Sequence, residues 1–263
     1  METTLDEPFR VDRLSAGEHE IHVLRDDLLP GGSKQRACRP YLQVLMEKGA
    51  SHFVYASPFA GFAQVALAQA ANELGARCTL FCEEDKTVSA NSKPHAFSLL
   101  AGSHGADVRV VRSLEEAEER SESFARQQDA FKVPLGFNDP VFNRELESAI
   151  SRLWPKICDT LARPIERIWV PVGSGTLGRA LSRVLRSEMS FVWVDVGVLP
   201  AGDPRVVRLM SLPNATYLRA PEHFAAAREI PPPVPSNRHY DSKLWRFIRE
   251  RASPGDLWWN VAR

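Results

Sequence analysis

The sequence predicts an α/β fold built on parallel sheets. Apolar runs rich in Val, Phe and Trp alternate with helical patterns along most of the chain, the order that crossover βαβ units require. Glycines close the helical stretches and mark the return to the next strand. Connections between such units are expected to be right-handed.

Taken in order, the stretch LLPGGSKQRA (28–37) places two glycines before a serine and a lysine, on a flexible turn that leads into a helix. HFVYAS (52–57) reads as a buried strand. GFAQVALAQAANELG (61–75) is Ala-rich and reads as a helix ending at Gly75. CTLFC (78–82) is strand-like, HAFSLLAGSHG (95–105) a helix, DVRVVR (107–112) a strand, and SLEEAEERSESFARQQ (113–128) a charged surface helix. Ser113 and Glu116 have the spacing of a capping box.

The second half repeats the alternation. DPVFNRELESAISRLWPKICDTL (139–161) carries a long amphipathic helix in which Pro155 is a candidate kink or break. RIWVPVG (167–173), SFVWVDVG (190–197) and ATYLRAP (215–221) read as strands, with a helix over 176–187 between the first two. EIPPPVPSN (229–237) reads as an extended connector, DSKLWRFIRERA (241–252) as a helix, and DLWWNVA (256–262) as a closing strand.

Composition narrows the function classes. With 44% hydrophobic and 25% charged residues, the 263 residues make an ordinary globular chain, long enough for one large domain or two small ones. A net charge of zero gives no bulk attraction to nucleic acid or to an acidic membrane. No apolar run has the length of a bilayer span, and the polar, acidic METTLDEPFR does not read as a signal peptide. Cys38, Cys78, Cys82 and Cys158 form no C-x-x-C pair, so no disulfide framework or zinc site is expected and a reducing, cytoplasmic compartment fits. The histidines show no metal-ligand spacing, and no metal is expected.

Two stretches carry chemistry. In VPVGSGTLGRAL (170–181), glycines 173, 175 and 178 lie between a strand and a helix, where exposed backbone N–H groups bind a phosphate. The plain alternative is a tight strand–helix turn. The letters also match G-x-G-x-x-G, and Asp195 ends the next strand, as in a dinucleotide-binding oxidoreductase using Gly173, Gly175, Gly178 and Asp195. The second stretch is LLPGGSKQRA. A lone lysine is ordinarily a solvated charge, but a buried one loses its proton readily and becomes a nucleophilic amine.

LLPGGSKQRA, ASPFAGFAQVALAQAANELGA and VPVGSGTLGRAL together, in this order and spacing, resemble the pyridoxal-phosphate enzymes of fold type II, the tryptophan synthase β-like group. The likeness is nearest to the aminocyclopropane-carboxylate deaminase and D-cysteine desulfhydrase branch. It implies two three-layer parallel-sheet domains, the smaller (44–130) inserted into the larger (1–43 and 131–263), with a cofactor cleft between them. It also implies that Lys34 binds the aldehyde of pyridoxal 5'-phosphate, and that Gly173, Ser174, Gly175 and Thr176 hold its phosphate. HYDSKLW (239–245) is similar to the branch's Tyr-Glu pair and places Tyr240 and Asp241 near the ring, with Asp241 on the pyridine nitrogen. Helix capping is the competing role for Asp241. Asn260 is a candidate ring or substrate contact, and His239 a candidate substrate contact.

The sequence departs from the group where substrate would bind. The family's Ser-x-Gly-Asn before the Ala-rich helix is FAGF (59–62) here, with Phe59 and Phe62 at the polar positions and Ser57 the nearby hydroxyl. These phenylalanines either face a larger, stacking substrate or belong to the core. The expected activity is a lyase reaction at Cα of an amino acid or amino-acid adduct: deamination, β-elimination or decarboxylation. Compact relatives of the group occur in phages that decorate thymidine with amino acids. Decarboxylation of such an adduct is therefore an alternative, which the aromatic FAGF loop would suit by stacking a pyrimidine, with nucleic acid only as substrate carrier and the host cytoplasm as compartment if the chain is viral. A dinucleotide oxidoreductase and a degenerate, non-catalytic cofactor binder are the rivals. The expected partners are a small-molecule or nucleotide-linked amine and a second copy of the chain in a homodimer, with no membrane.

Overall fold

The structure is a computed structural model that describes residues 8–87, 93–185, 189–200, 202–226 and 230–263. The acidic start at 1–7, the last two residues of the helix expected over 176–187, and Glu229 of the proline connector lie outside the described residues.

The chain opens with a hairpin, β1 (Val11–Ala16) and β2 (His19–Arg25), turned at Gly17 with φ +65°. A 3-10 turn (Gly32–Lys34) leads into α1 (Gln35–Glu47). Next come β3 (His52–Ser57), α2 (Ala63–Glu73), β4 (Arg77–Glu83), α3 (Ala96–Ser103), β5 (Asp107–Val111), α4 (Leu114–Gln128) and β6 (Phe131–Val133). The second half contains α5 (Pro140–Asp159), β7 (Arg167–Val172), α6 (Thr176–Val184), β8 (Ser190–Asp195), α7 (Pro204–Met210) and β9 (Ala215–Arg219). It closes with α8 (Trp245–Arg251) and β10 (Leu257–Asn260).

The strands form two sheets. A four-stranded sheet has the order β5-β4-β3-β6 and is parallel throughout. A six-stranded sheet has the order β1-β2-β10-β7-β8-β9, parallel except for β1, which runs antiparallel to β2 at the edge. The larger sheet is therefore not purely parallel: a two-residue hairpin turn returns the chain beside itself, which a parallel pair cannot do. Strand β6 pairs with β3, so the smaller sheet runs to residue 133 rather than ending at 130. The C-terminal strand β10 is not at an edge. It inserts between β2 and β7 and so sets the C-terminal segment beside the opening hairpin.

One apolar core runs through both halves. Phe53, Tyr55 and Leu80 of the smaller sheet share it with Ile168, Val170, Trp193 and Trp259 of the larger. Helix α1 packs on α2 on one side and on α5 on the other, and so joins the halves behind the lysine turn. Helix α5 continues through Pro155 without a break. Asp139 caps its first N–H groups and Pro140 occupies its first turn, where no partner for a proline N–H is needed. Residues 241–252 divide instead into a 3-10 turn, Asp241–Lys243, and α8. At α4, Ser113 Oγ accepts from Glu116 N as the capping box requires, while the Glu116 carboxylate accepts from Arg112 N.

Candidate active site

The lysine turn is shaped by its glycines. Gly32 has φ +64°, and a Cβ there would lie 2.4 Å from the Val261 carbonyl oxygen. A side chain is excluded on both counts, and its absence lets Ser33 N donate to Val261 O at 3.0 Å. Beneath the turn, buried Asp26 accepts from Arg36 Nη2 (2.5 Å) and Nε (3.0 Å) and from Trp259 Nε1 (2.8 Å). The same indole N–H reaches Ser33 Oγ at 3.0 Å. Asp27 takes two bonds from Arg25, which also reaches Asp12. These buried charges are paired, as burial demands, and they fix the turn on which Lys34 stands.

Lys34 lines a pocket between the two sheets. Desolvation by burial draws its amine down to about 8. Nearby Arg179 acts in the same direction, and Cys38 opposes it. Its Nζ lies 6.0 Å from the centre of the Phe137 ring.

On another wall stands the turn from β7 to α6. Gly175, at φ +74°, is the N-cap of α6, and no side chain caps that helix. The residues from Gly173 to Gly178, all on the pocket wall, thus bring an uncapped helix N-terminus to it. Thr176 Oγ1 donates to Gly136 O at 2.8 Å, Ser174 Oγ lies 3.1 Å from Thr176 Oγ1, and Gly136 N donates to Tyr55 OH at 3.2 Å. Tyr240 lies against Gly173: a Cβ on that glycine would sit 2.7 Å from Tyr240 Cε1. Burial pushes the Tyr240 phenol above its usual range.

The structure brings together Lys34, Gly173, Ser174, Gly175, Thr176, Phe62 and Tyr240 on one pocket wall. It places five expected site residues elsewhere. Asp241 is fully buried, and its two carboxylate oxygens accept from Val261 N (2.7 Å) and Ala262 N (3.2 Å), so it holds backbone and is absent from the pocket wall. Asn260 turns its amide to Asp27 Oδ1 and Pro235 O. Ser57 Oγ donates to Pro58 O behind the wall. Phe59 and His239 face each other at 5.4 Å, in an aromatic cluster with His95 and Phe224. Of the two phenylalanines, Phe62 faces the cleft and Phe59 is packed within that cluster.

Sequence reasoning missed Tyr55 and Gly136, which buttress the glycine turn. The available signal was a tyrosine in the apolar run HFVYAS, since a buried phenol needs a partner. Asp195, the acid of the dinucleotide reading, is engaged by Tyr217 OH (2.7 Å) and Gly197 N (2.8 Å) and is off the pocket wall.

With this geometry in place, comparison with known proteins decides the family. A family profile described as "Pyridoxal-phosphate dependent enzyme" matches residues 3–248. The chain belongs to this family. A search of curated proteins returns no match. Among solved structures, the chain is similar to an ACC deaminase homologue, with TM-score 0.73 and 18% identity over 93% of this chain and 84% of that one. It is also similar to Escherichia coli diaminopropionate ammonia lyase in its apo form (TM-score 0.69, 14% identity, 98% and 83% covered). A third similar structure is the L-serine ammonia-lyase of the fungus Rhizomucor miehei (TM-score 0.70, 13% identity, 96% and 92% covered). At these identities the likeness is one of fold.

Pyridoxal phosphate, the family's cofactor, needs an amine for its aldehyde and a cradle for its phosphate. This pyridoxal-phosphate enzyme presents both in one pocket: a lysine with a lowered pKa and an uncapped helix N-terminus kept open by glycines. The residues present fit the cofactor. The dinucleotide reading gives way to the family.

Proposed function

We propose that the chain is a pyridoxal-phosphate-dependent lyase acting at Cα of an amino acid or amino-acid adduct. The observation that carries this reading is Lys34, its amine drawn down to about 8, sharing one pocket with the uncapped N-terminus of α6. Bound there, the cofactor supplies an electron sink for a bond breaking at Cα. Lys34 Nζ is the amine that would hold its aldehyde carbon, the carbonyl oxygen leaving as water, and once free it would move a proton at the substrate's Cα. The backbone N–H groups at Gly175–Thr176 and the Ser174 hydroxyl would orient the phosphate, while the Thr176 hydroxyl, donated to Gly136 O, braces the turn. Tyr240 offers a phenol to the same space. Pro58, Gly61, Phe62 and Ala63 exclude water from the substrate side.

The ammonia-lyases among the structural neighbours favour elimination with release of ammonia. A second reading, decarboxylation of an amino-acid-modified thymidine, is favoured by the chemistry of the wall. Lys34 is the one charged side chain lining the pocket among the described residues, and a carboxylate placed against Phe62 loses solvation.

The test loads purified protein with pyridoxal phosphate, reduces it with borohydride and maps the modified peptide. The expected outcome is a visible absorbance band and a label on Lys34, both absent from Lys34→Ala. Ammonia release from serine or diaminopropionate, against CO2 release from an amino-acid-substituted thymidine, then separates the two readings. No band after loading overturns the proposal, and a band without turnover of any amine indicates a cofactor binder that has lost catalysis.

A further inference from the structure

Asp241 lies next to a residue of the pocket wall, yet it spends both oxygens on backbone N–H groups of the C-terminal segment. The segment it grips, Val261–Ala262, itself lines the pocket. The next bond in the chain of contacts runs from Ser33 N to Val261 O, and Ser33 is bonded directly to Lys34 in sequence. From the other side, Asp26 accepts from Trp259 Nε1, and Ser33 Oγ shares that indole N–H. Residues 259–262 are therefore held between two fully buried carboxylates from opposite ends of the chain, and the lysine turn hangs on that segment.

We propose that Asp241 is a positioning residue for Lys34, acting through the Val261–Ala262 backbone, with Asp26 as the opposing jaw of the clamp. The clamp keeps the turn pressed into the desolvated pocket. A loosened turn would let water reach the amine. Each Asp241 oxygen already accepts from a backbone N–H and the residue is absent from the pocket wall, which assigns it to the C-terminal segment rather than to the cofactor ring. The inference rests on Lys34 being the cofactor-binding amine, and its test is chosen to separate the two claims.

In the unloaded protein, Asp241→Asn replaces one acceptor by an NH2 group that faces a backbone N–H. Amide hydrogen exchange at Ser33, Val261 and Ala262 should then accelerate about tenfold or more, the cost of one lost hydrogen bond. Loaded with pyridoxal phosphate, the variant should keep the absorption maximum of the parent protein. The pH midpoint for capture at Lys34 should rise from about 8 toward the ordinary lysine value of 10.5. The titratable neighbours of the amine, Cys38 and Arg179, are untouched by the substitution. Unchanged exchange overturns the clamp. A shifted absorption maximum with an unmoved midpoint overturns it as well, and places Asp241 on the ring. If the parent protein takes no label at Lys34, the proposed function falls, and exchange in the unloaded chain alone decides the clamp. Should Asp241→Asn fail to fold, Trp259→Phe removes the indole N–H shared by Asp26 and Ser33 together with part of a fully buried ring; exchange at Phe53, in the same core but outside the clamp, is the control for that packing loss, and only acceleration beyond it is counted. Faster exchange at Ser33 then supports the clamp, and unchanged exchange overturns it.

Discussion

The amine of Lys34 titrates near 8 because burial penalises its charged form, and only the neutral form attacks an aldehyde. The rate at which unloaded protein captures pyridoxal phosphate should therefore climb as pH rises through about 8 and level off above it; stopped-flow absorbance across pH 6.5 to 10 checks this (approximate limits set by the lysine range). Gly173 gives a second expectation. With Tyr240 Cε1 only 2.7 Å from where its Cβ would be, Gly173→Ala must displace the tyrosine or the glycine turn. Cofactor affinity should fall about tenfold or more while the fold survives, as equilibrium dialysis and circular dichroism would show. Lys34 and the glycine turn were legible because each is a local pattern whose chemistry is carried by its own residues. Asp241 was not. Its partners are backbone groups twenty residues away, and which donor meets a buried carboxylate is set by tertiary placement alone.

At the scale of elements, the strands that stood out in sequence are those buried on both faces, such as β3, where every residue is buried. β1 is half exposed at a sheet edge and β6 is three residues long, so neither gives a strong pattern. Pro155 is a candidate kink or break, and α5 runs through it unbroken. Pro155 is exposed and sits in the last turns of a helix anchored by Phe142, Leu146, Ile150, Leu153 and Ile157, all in the core. That apolar face outweighs one missing backbone bond and the clash of the ring with the preceding turn, a cost of about 3 kcal/mol. Pro155→Ala restores an N–H at an exposed position and should raise stability by about 1 kcal/mol or more, read as a shift of the urea midpoint at unchanged m-value.

At the scale of the molecule, the two halves meet in an aromatic belt that no single stretch of sequence announces. Phe62 contacts Phe97 (4.9 Å), Phe97 contacts His95 (4.6 Å), and His95 and Phe59 contact His239 (5.8 and 5.4 Å). Phe224 then joins His239 (5.9 Å) to Tyr240 (5.1 Å). Both ends of the belt, Phe62 and Tyr240, line the pocket. His95 comes from the half with the smaller sheet, and His239 from the half with the larger. Burial lowers the pKa of both. For His239, the Phe224 carbonyl opposes that lowering while His95 and Lys243 add to it, and Asp85 draws both histidines upward. Since each folded-state pKa lies below the unfolded value of 6.5, the unfolded chain binds more protons as pH falls through that value, and stability must fall with it. The loss is at most about 1.4 kcal/mol per pH unit for each histidine. Charging both also sets two like charges 5.8 Å apart across the junction of the halves. Urea titrations at neutral pH and about one unit below the histidine range should show wild type losing stability on acidification. The double variant His95→Gln/His239→Gln should lose less than wild type: it keeps His22 and His52, which burial lowers in the same way, and Asp241, whose carboxyl burial raises and which works in the opposite sense, so the difference between the two proteins reports the belt. An equal loss in both proteins would mean that the belt does not couple the halves to pH.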